Sequence, residues 1–262
     1  MSFETILLDQ DTRGVVTLTL NRPEKHNSLS AKMIEELTAV AAQLASDRTI
    51  RAVVLTGAGA SFCAGGDLGW MREQFHADRA TRMAEARKLA LMLKALNELP
   101  HPLIGRVQGQ AFGGGIGMMS VCDTVVAVDS ARFGLTEVRL GLIPATISPY
   151  VLARMGEGKA RRVFMSARTF SADEAVALDL VARAVPEADL DEAIEREVKP
   201  YLAAAPAAVA ASKALARSLG PATTDDIIED TIRRLADTWE TPEAAEGIAA
   251  FFEKRKPEWV EG

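Results

Sequence analysis

The sequence predicts an α/β core followed by a helical region, and three observations predict it. Short apolar runs of strand character alternate with segments of helical period. Two glycine-rich turns stand where strands give way to helices, and beyond about residue 145 the texture becomes alanine-rich with helical spacing. The first strand signal is "GVVTLTL" (14–20), in which apolar and hydroxyl side chains alternate. "SAKMIEELTAVAAQLASD" (30–47) follows with helical spacing, and Ser30 stands where a hydroxyl can cap the first turn. "RAVVLT" (51–56), "PLIGRVQ" (102–108) and "DTVVAVD" (123–129) read as buried strands. The helix "ARKLALMLKALNEL" (86–99) is stopped by Pro100 and Pro102.

In the second half a strand is expected in "LVARAVP" (180–186), and helices near 171–178, 189–204, 206–218, 223–238 and 242–255. Pro206, Gly220-Pro221 and Pro242 punctuate them. The chain therefore divides into a core over 1–200 and a C-terminal helical region over 201–262.

Composition narrows the function. The 262 residues are 48% hydrophobic and 25% charged, a globular profile, and no run of eighteen apolar residues suggests a membrane span. No signal-peptide pattern stands at the N-terminus, so a cytoplasmic location is expected. A net charge of −6 argues against a nucleic-acid surface while leaving room for a small anionic ligand on a local basic patch. His26, His76 and His101 are scattered. Cys63, expected in a loop, and Cys122, at an apolar helix end, form no CxxC pair, so neither a metal site nor a disulfide framework is expected.

The glycines carry the remaining signal. "TGAGASFCAGGD" and "AFGGGIGMM" lack the lysine of a P-loop, and both break the spacing of a dinucleotide fingerprint, Phe62 standing where its third glycine should fall. No GxSxG elbow is present. What remains is a pair of turns, "CAGGD" (63–67) and "FGGGIG" (112–117), each at a strand-to-helix junction. The first helical turn leaves backbone N–H groups unpaired, and two of them converging on one oxygen would stabilise developing negative charge. The other reading is close packing, in which the glycines merely let a helix lie against its sheet.

The ordered blocks "NRPEKHNSLS", "VVLTGAGASFCAGGDL", "VQGQAFGGGIGMMSVCD", "ARFGLTEVRLGLIP" and "EGIAAFFEKRKPEW" resemble the crotonase superfamily of enoyl-CoA hydratases and isomerases over essentially the whole chain. The resemblance implies a spiral of repeated ββα units, with a C-terminal helical region that builds trimers, often paired into hexamers, and closes the CoA site. It implies an acyl-CoA thioester as ligand, with no cofactor beyond the coenzyme A of the substrate. By the same resemblance Gly66 and Gly114 match the two N–H donors to the thioester oxygen. Glu137, in "FGLTE", matches one of the two glutamates common in the family's hydratases. The other would fall at Gly117, so that carboxylate is absent. On "TEVR" alone, Glu137 could instead be a surface partner of Arg139.

The resemblance places CoA contacts at Lys25 and Ala64, and at Phe251 and Lys254 reaching in from a neighbouring subunit. Asp67, Trp70, Met71 and Gly117 are expected around the acyl pocket, with Asp67 also read as a capping carboxylate that orders its loop. "TEVRLGLIPATISPYV" (136–151) together with Gly117 resembles methylglutaconyl-CoA hydratases and related enzymes of carboxylated, branched enoyl-CoAs. The expected activity is hydration of a 2-enoyl-CoA. The alternatives are an isomerase that shifts the double bond with one glutamate, and a CoA-binding relative without turnover.

Overall fold

A computed structural model describes residues 3–260. The strands form two sheets. The larger has the order β1 (Ile6–Gln10), β2 (Val15–Leu20), β3 (Ala52–Gly57), β5 (Leu103–Val107), β7 (Thr124–Val128), β10 (Arg183–Val185). The smaller has the order β4 (Ser61–Cys63), β6 (Gln110–Phe112), β8 (Arg132–Gly134), β9 (Thr169–Ser171). Only the β1/β2 and β8/β9 pairs are antiparallel.

The order in which the chain visits these sheets is the expected spiral. β3, β5 and β7 each lie in the larger sheet and are each followed within a few residues by a short strand of the smaller one, then by helix. After β4 come α2 (Leu68–His76) and α3 (Arg79–Asn97), after β6 comes α4 (Gly114–Ser120), and after β8 comes α5 (Ser148–Phe164). Helix α1 (Ala31–Ser46) connects β2 to β3, and α6 (Ala172–Ala177) joins β9 to β10. The C-terminal helices are α7 (Leu190–Ala203), α8 (Pro206–Leu219), α9 (Asp225–Trp239) and α10 (Pro242–Glu253).

Strands β3, β5 and β7 read as continuous apolar runs because helices cover both faces of a parallel sheet, and β3 is buried along its whole length. Ser30 caps α1 as expected, accepting from the Met33 N–H at 3.2 Å. The four long strand signals and the five helices of the second half stand where the sequence places them, within a few residues.

The short strands of the smaller sheet were not read from periodicity, nor were β1 and α5, and the bounds of α2 were not given. Three-residue strands offer too little period to separate from turns. Helix α5 is broken at Gly156 (φ 71°), which interrupts its helical pattern. The expectation that Cys63 lies in a loop is corrected by the same sheet: Cys63 closes β4 and is fully buried, and burial pushes its thiol up to about 12.

Two satellite cores bind the C-terminal helices to the spiral. Ala86 and Ala90 of α3 pack with Ile228 and Ile232 of α9, while Leu142 packs with Ala244 and Ile248 of α10. The chain thus folds back over its own α2–α3 segment. That return builds one wall of the candidate site.

Candidate active site

A single bridge sets up the first glycine turn. The Leu29 N–H donates to the Gly65 carbonyl at 2.7 Å, and the Asp67 N–H donates to the Leu29 carbonyl at 3.0 Å. Successive groups of extended backbone face opposite sides, so the Gly66 N–H turns away from Leu29. Among the described residues it has no acceptor. Nor has the Gly114 N–H, the first of α4, as helix termini dictate.

These turns lie against each other. A Cβ added at Gly65 would stand 3.7 Å from the Gly114 nitrogen, and one at Gly114 would stand 3.9 Å from the Gly65 carbonyl carbon. Gly66 and Gly114 line the same apolar cavity of about 130 Å³. The close-packing reading also holds for part of the run, because a side chain at Gly115 would meet the Cys63 carbonyl oxygen at 2.4 Å. One glycine cluster serves both purposes at different positions.

Glu137 opens the turn that follows β8 and lines this cavity. The residue as a whole is half-buried, yet its Oε2 is sealed from solvent and has no hydrogen-bond partner. Desolvation of the carboxylate pushes its pKa up to about 7. Glu137 makes no ion pair with Arg139, so the surface-partner reading of "TEVR" fails. Gly113 leaves the carboxylate room: it holds φ 46°, and a Cβ there would sit 3.1 Å from Glu137 Oε1.

Trp70 and Met71 line the cavity as expected. A Cβ on Gly66 would lie 3.5 Å from Met71 Cγ, so this α2 side chain packs directly against the donor turn. The Trp70 indole is held by its N–H donating to Glu85 at 3.2 Å.

Asp67 and Gly117 do not line the cavity, which corrects their placement in the acyl pocket. The Asp67 carboxylate caps α2, accepting from the Gly69 N–H at 2.8 Å, and pairs with Arg22 at 2.9 Å. Partial burial pushes its pKa up, but Arg22 and the capped N–H groups outweigh that and hold it below the usual carboxylate range. At Gly117, an added Cβ would meet Ile147 Cγ2 at 2.5 Å. Ile147 therefore fills the space that a second glutamate would need, and it lines the cavity itself.

The expected CoA contacts lie outside this cavity. The Ala64 N–H donates to the His26 carbonyl at 2.9 Å, which clamps the exposed Lys25 turn beside the donor loop. Phe251 and Lys254 are exposed at the end of α10.

Sequence reasoning missed Gln74, Arg82, Leu235 and Trp239, all of which line the cavity. Gln74 had a faint signal, since it follows Trp70 and Met71 at helical spacing. Leu235 and Trp239 had none, because only the return of α9 over α3 brings them there.

Comparison with known proteins agrees with this architecture. The enoyl-CoA hydratase/isomerase family profile matches residues 10–262. The Mycobacterium tuberculosis protein named "Probable enoyl-CoA hydratase echA8" is 35% identical over 264 residues, covering 99% of each chain. A Shewanella pealeana enoyl-CoA hydratase structure superposes with a TM-score of 0.80 at 36% identity, over 98% of this chain and 96% of that one. Pseudomonas aeruginosa AtuE superposes with a TM-score of 0.80 at 38% identity, over 98% of this chain and 100% of that one. Together with the ββα spiral, these similarities establish that the chain belongs to the enoyl-CoA hydratase/isomerase family, the crotonase superfamily, and is an enzyme of enoyl-CoA chemistry.

Proposed function

We propose that this protein adds water across the 2,3 double bond of an enoyl-CoA thioester, with Glu137 as its acid-base residue. The observation that carries the reading is the shared cavity, in which a buried, unpartnered carboxylate stands with two free backbone N–H groups. The thioester oxygen accepts from the Gly66 and Gly114 N–H groups. Water attacks the β-carbon and loses a proton to Glu137, while the π electrons move to the thioester oxygen as an enolate. Glu137 then returns the proton to the α-carbon, and the enolate collapses to the 3-hydroxyacyl product. Donors held in place where charge develops contribute about 3 to 4 kcal/mol each in such sites.

The finer reading is a short, branched substrate such as 3-methylglutaconyl-CoA, supported by the resemblance of the "TEVRLGLIPATISPYV" segment. Cavity size agrees with a short acyl group, because an apolar void of about 150 Å³ holds a benzene molecule. Coenzyme A enters as part of the substrate, at the Lys25 and Ala64 side, and the reaction takes no separate cofactor or metal. The cytoplasm is the proposed location; no described helix is long and apolar enough to cross a membrane. A trimer, or a pair of trimers, is proposed from the resemblance and from α8, which has no buried residue in the single chain.

The deciding experiment follows the conjugated enoyl-thioester absorbance of 3-methylglutaconyl-CoA and crotonyl-CoA with wild-type protein and Glu137→Gln. Absorbance should fall with formation of a 3-hydroxyacyl-CoA, and the variant should lose at least a hundredfold of that rate. One observation favours the isomerase alternative: Glu137 is the only carboxylate among the cavity-lining residues. Gain of conjugation from a 3-enoyl-CoA, with no hydration of either 2-enoyl substrate, would establish that alternative instead.

A further inference from the structure

Among the described residues, two buried side-chain polar atoms lack any hydrogen-bond partner, and both border the same cavity: Glu137 Oε2, used above, and Gln74 Oε1. Gln74 is 6% exposed, and its amide oxygen is buried without a partner. Burying a side-chain amide oxygen without a hydrogen bond is unfavourable, so its place in the wall of a cavity points to a polar group of a ligand there.

Arg82 borders the same space. Its Nε donates to the Gln74 carbonyl at 2.8 Å and its Nη2 to the Phe75 carbonyl at 3.0 Å, so the guanidinium covers the C-terminal end of α2. The Trp239 ring lies 5.3 Å beneath it. Nη1 has no partner, and no described carboxylate pairs with this arginine. The exposed Asp78 at the start of α3 is a nearby opposite charge, but the cavity is bordered by an arginine in no ion pair and by an amide oxygen without a partner, in walls that are otherwise mostly apolar.

Their distance from the donor turn fits an acyl chain. Gln74 stands seven residues beyond Asp67, and at about 1.5 Å of rise per residue its backbone lies roughly 10 Å along α2. Helical side chains lean back toward the N-terminus, which brings the amide toward a group a few carbons beyond the thioester.

We propose that Gln74 and Arg82 form the subsite for a distal carboxylate on the acyl chain, making the preferred substrate a short enoyl-CoA of a dicarboxylic acid. The inference rests on the acyl-CoA reading of the cavity and adds the residues that choose among acyl groups. Arg82 Nη1 donates to the carboxylate, and the Gln74 amide, turned about its terminal torsion, donates its NH₂ to the same group. A site built this way rejects an analogue lacking the polar group, because its own buried groups are then left unpaired. The filling of the Gly117 region by Ile147 follows the same logic, since a second glutamate would add a like charge to a cavity that receives an anion.

The test is binding, so it does not depend on turnover. Glutaryl-CoA and pentanoyl-CoA, which are saturated and unreactive, are titrated calorimetrically into wild-type protein, Gln74→Met and Arg82→Gln. Wild type should bind glutaryl-CoA at least tenfold more tightly than pentanoyl-CoA, and each variant should reduce that ratio severalfold or more. Arg82→Gln also frees the end of α2, so Gln74→Met, which keeps the side-chain volume, is the more decisive variant. Equal affinities in wild type, or an unchanged ratio in Gln74→Met, would overturn the proposal, as would failure of glutaryl-CoA to bind. Retention of the preference by an enzyme that hydrates nothing would support this subsite while overturning the hydratase reading.

Discussion

At the scale of single residues, the proposed chemistry turns on one carboxylate, Glu137, whose Oε2 is denied solvent. Glu137 must be ionised to accept a proton from water, so kcat/KM of the wild type should rise with pH through about 7 and then level off. The same shift has a stability consequence of definite sign. A folded pKa of about 7, above the ordinary 4.5 of this side chain, means the unfolded chain releases this proton first as pH rises. Glu137 therefore contributes fully below about pH 4.5, and that stability is lost as pH rises to about 7. Urea titrations of wild type and Glu137→Gln should diverge across that window, by up to about 3 kcal/mol in favour of the variant at pH 8. A difference independent of pH would show that the carboxylate is solvated.

Gly117 belongs to the same scale. Gly117→Glu alone should fold poorly, because its Cβ would meet Ile147 at 2.5 Å; overpacking of this kind costs roughly 1 to 3 kcal/mol or more. Gly117→Glu combined with Ile147→Gly removes that clash. The double variant should recover stability and lose more activity toward 3-methylglutaconyl-CoA than toward crotonyl-CoA, as steady-state kinetics would show.

Among the elements, α9 matters most for the site, since Leu235 and Trp239 form part of the cavity wall. Its hold on α3 comes from apolar burial more than from charge. Ile232 is fully buried in that contact, and Ile232→Ala should cost about 2 to 4 kcal/mol in chemical denaturation. The Arg87–Glu229 pair across the same two helices is substantially exposed, and its removal should cost less than about 1 kcal/mol. Helix α10 fixes the Glu137 turn by close backbone approach: a Cβ at Gly247 would stand 2.6 Å from the Leu140 carbonyl carbon. The Glu137 turn and a C-terminal helix are thus coupled through close backbone packing.

For the whole molecule, α8 buries none of its residues fully within the chain: Leu215 is 60% and Leu219 is 81% exposed. Sedimentation equilibrium should give three or six times the 28.1 kDa chain mass, and Leu215→Glu with Leu219→Glu should shift the protein toward monomer. A wild-type protein that sediments as a monomer at micromolar concentration would remove the trimer from the proposal.

Read alone, the sequence determined the long strands, the helical second half and the position of the two glycine turns. These depend on local period and on motif spacing, both of which are written into neighbouring residues. The family resemblance also singled out Gly66, Gly114 and Glu137, and the structure brings all three to one cavity. Only the tertiary structure decided that Glu137 Oε2 is sealed from solvent, that Ile147 occupies the room beside Gly117, and that Gln74 and Arg82 line the cavity. Those facts arise between residues far apart in the chain, Leu235 and Trp239 meeting α2 and α3 only because α9 folds back. Local sequence can specify which groups are present, but desolvation and cavity shape are properties of what surrounds them.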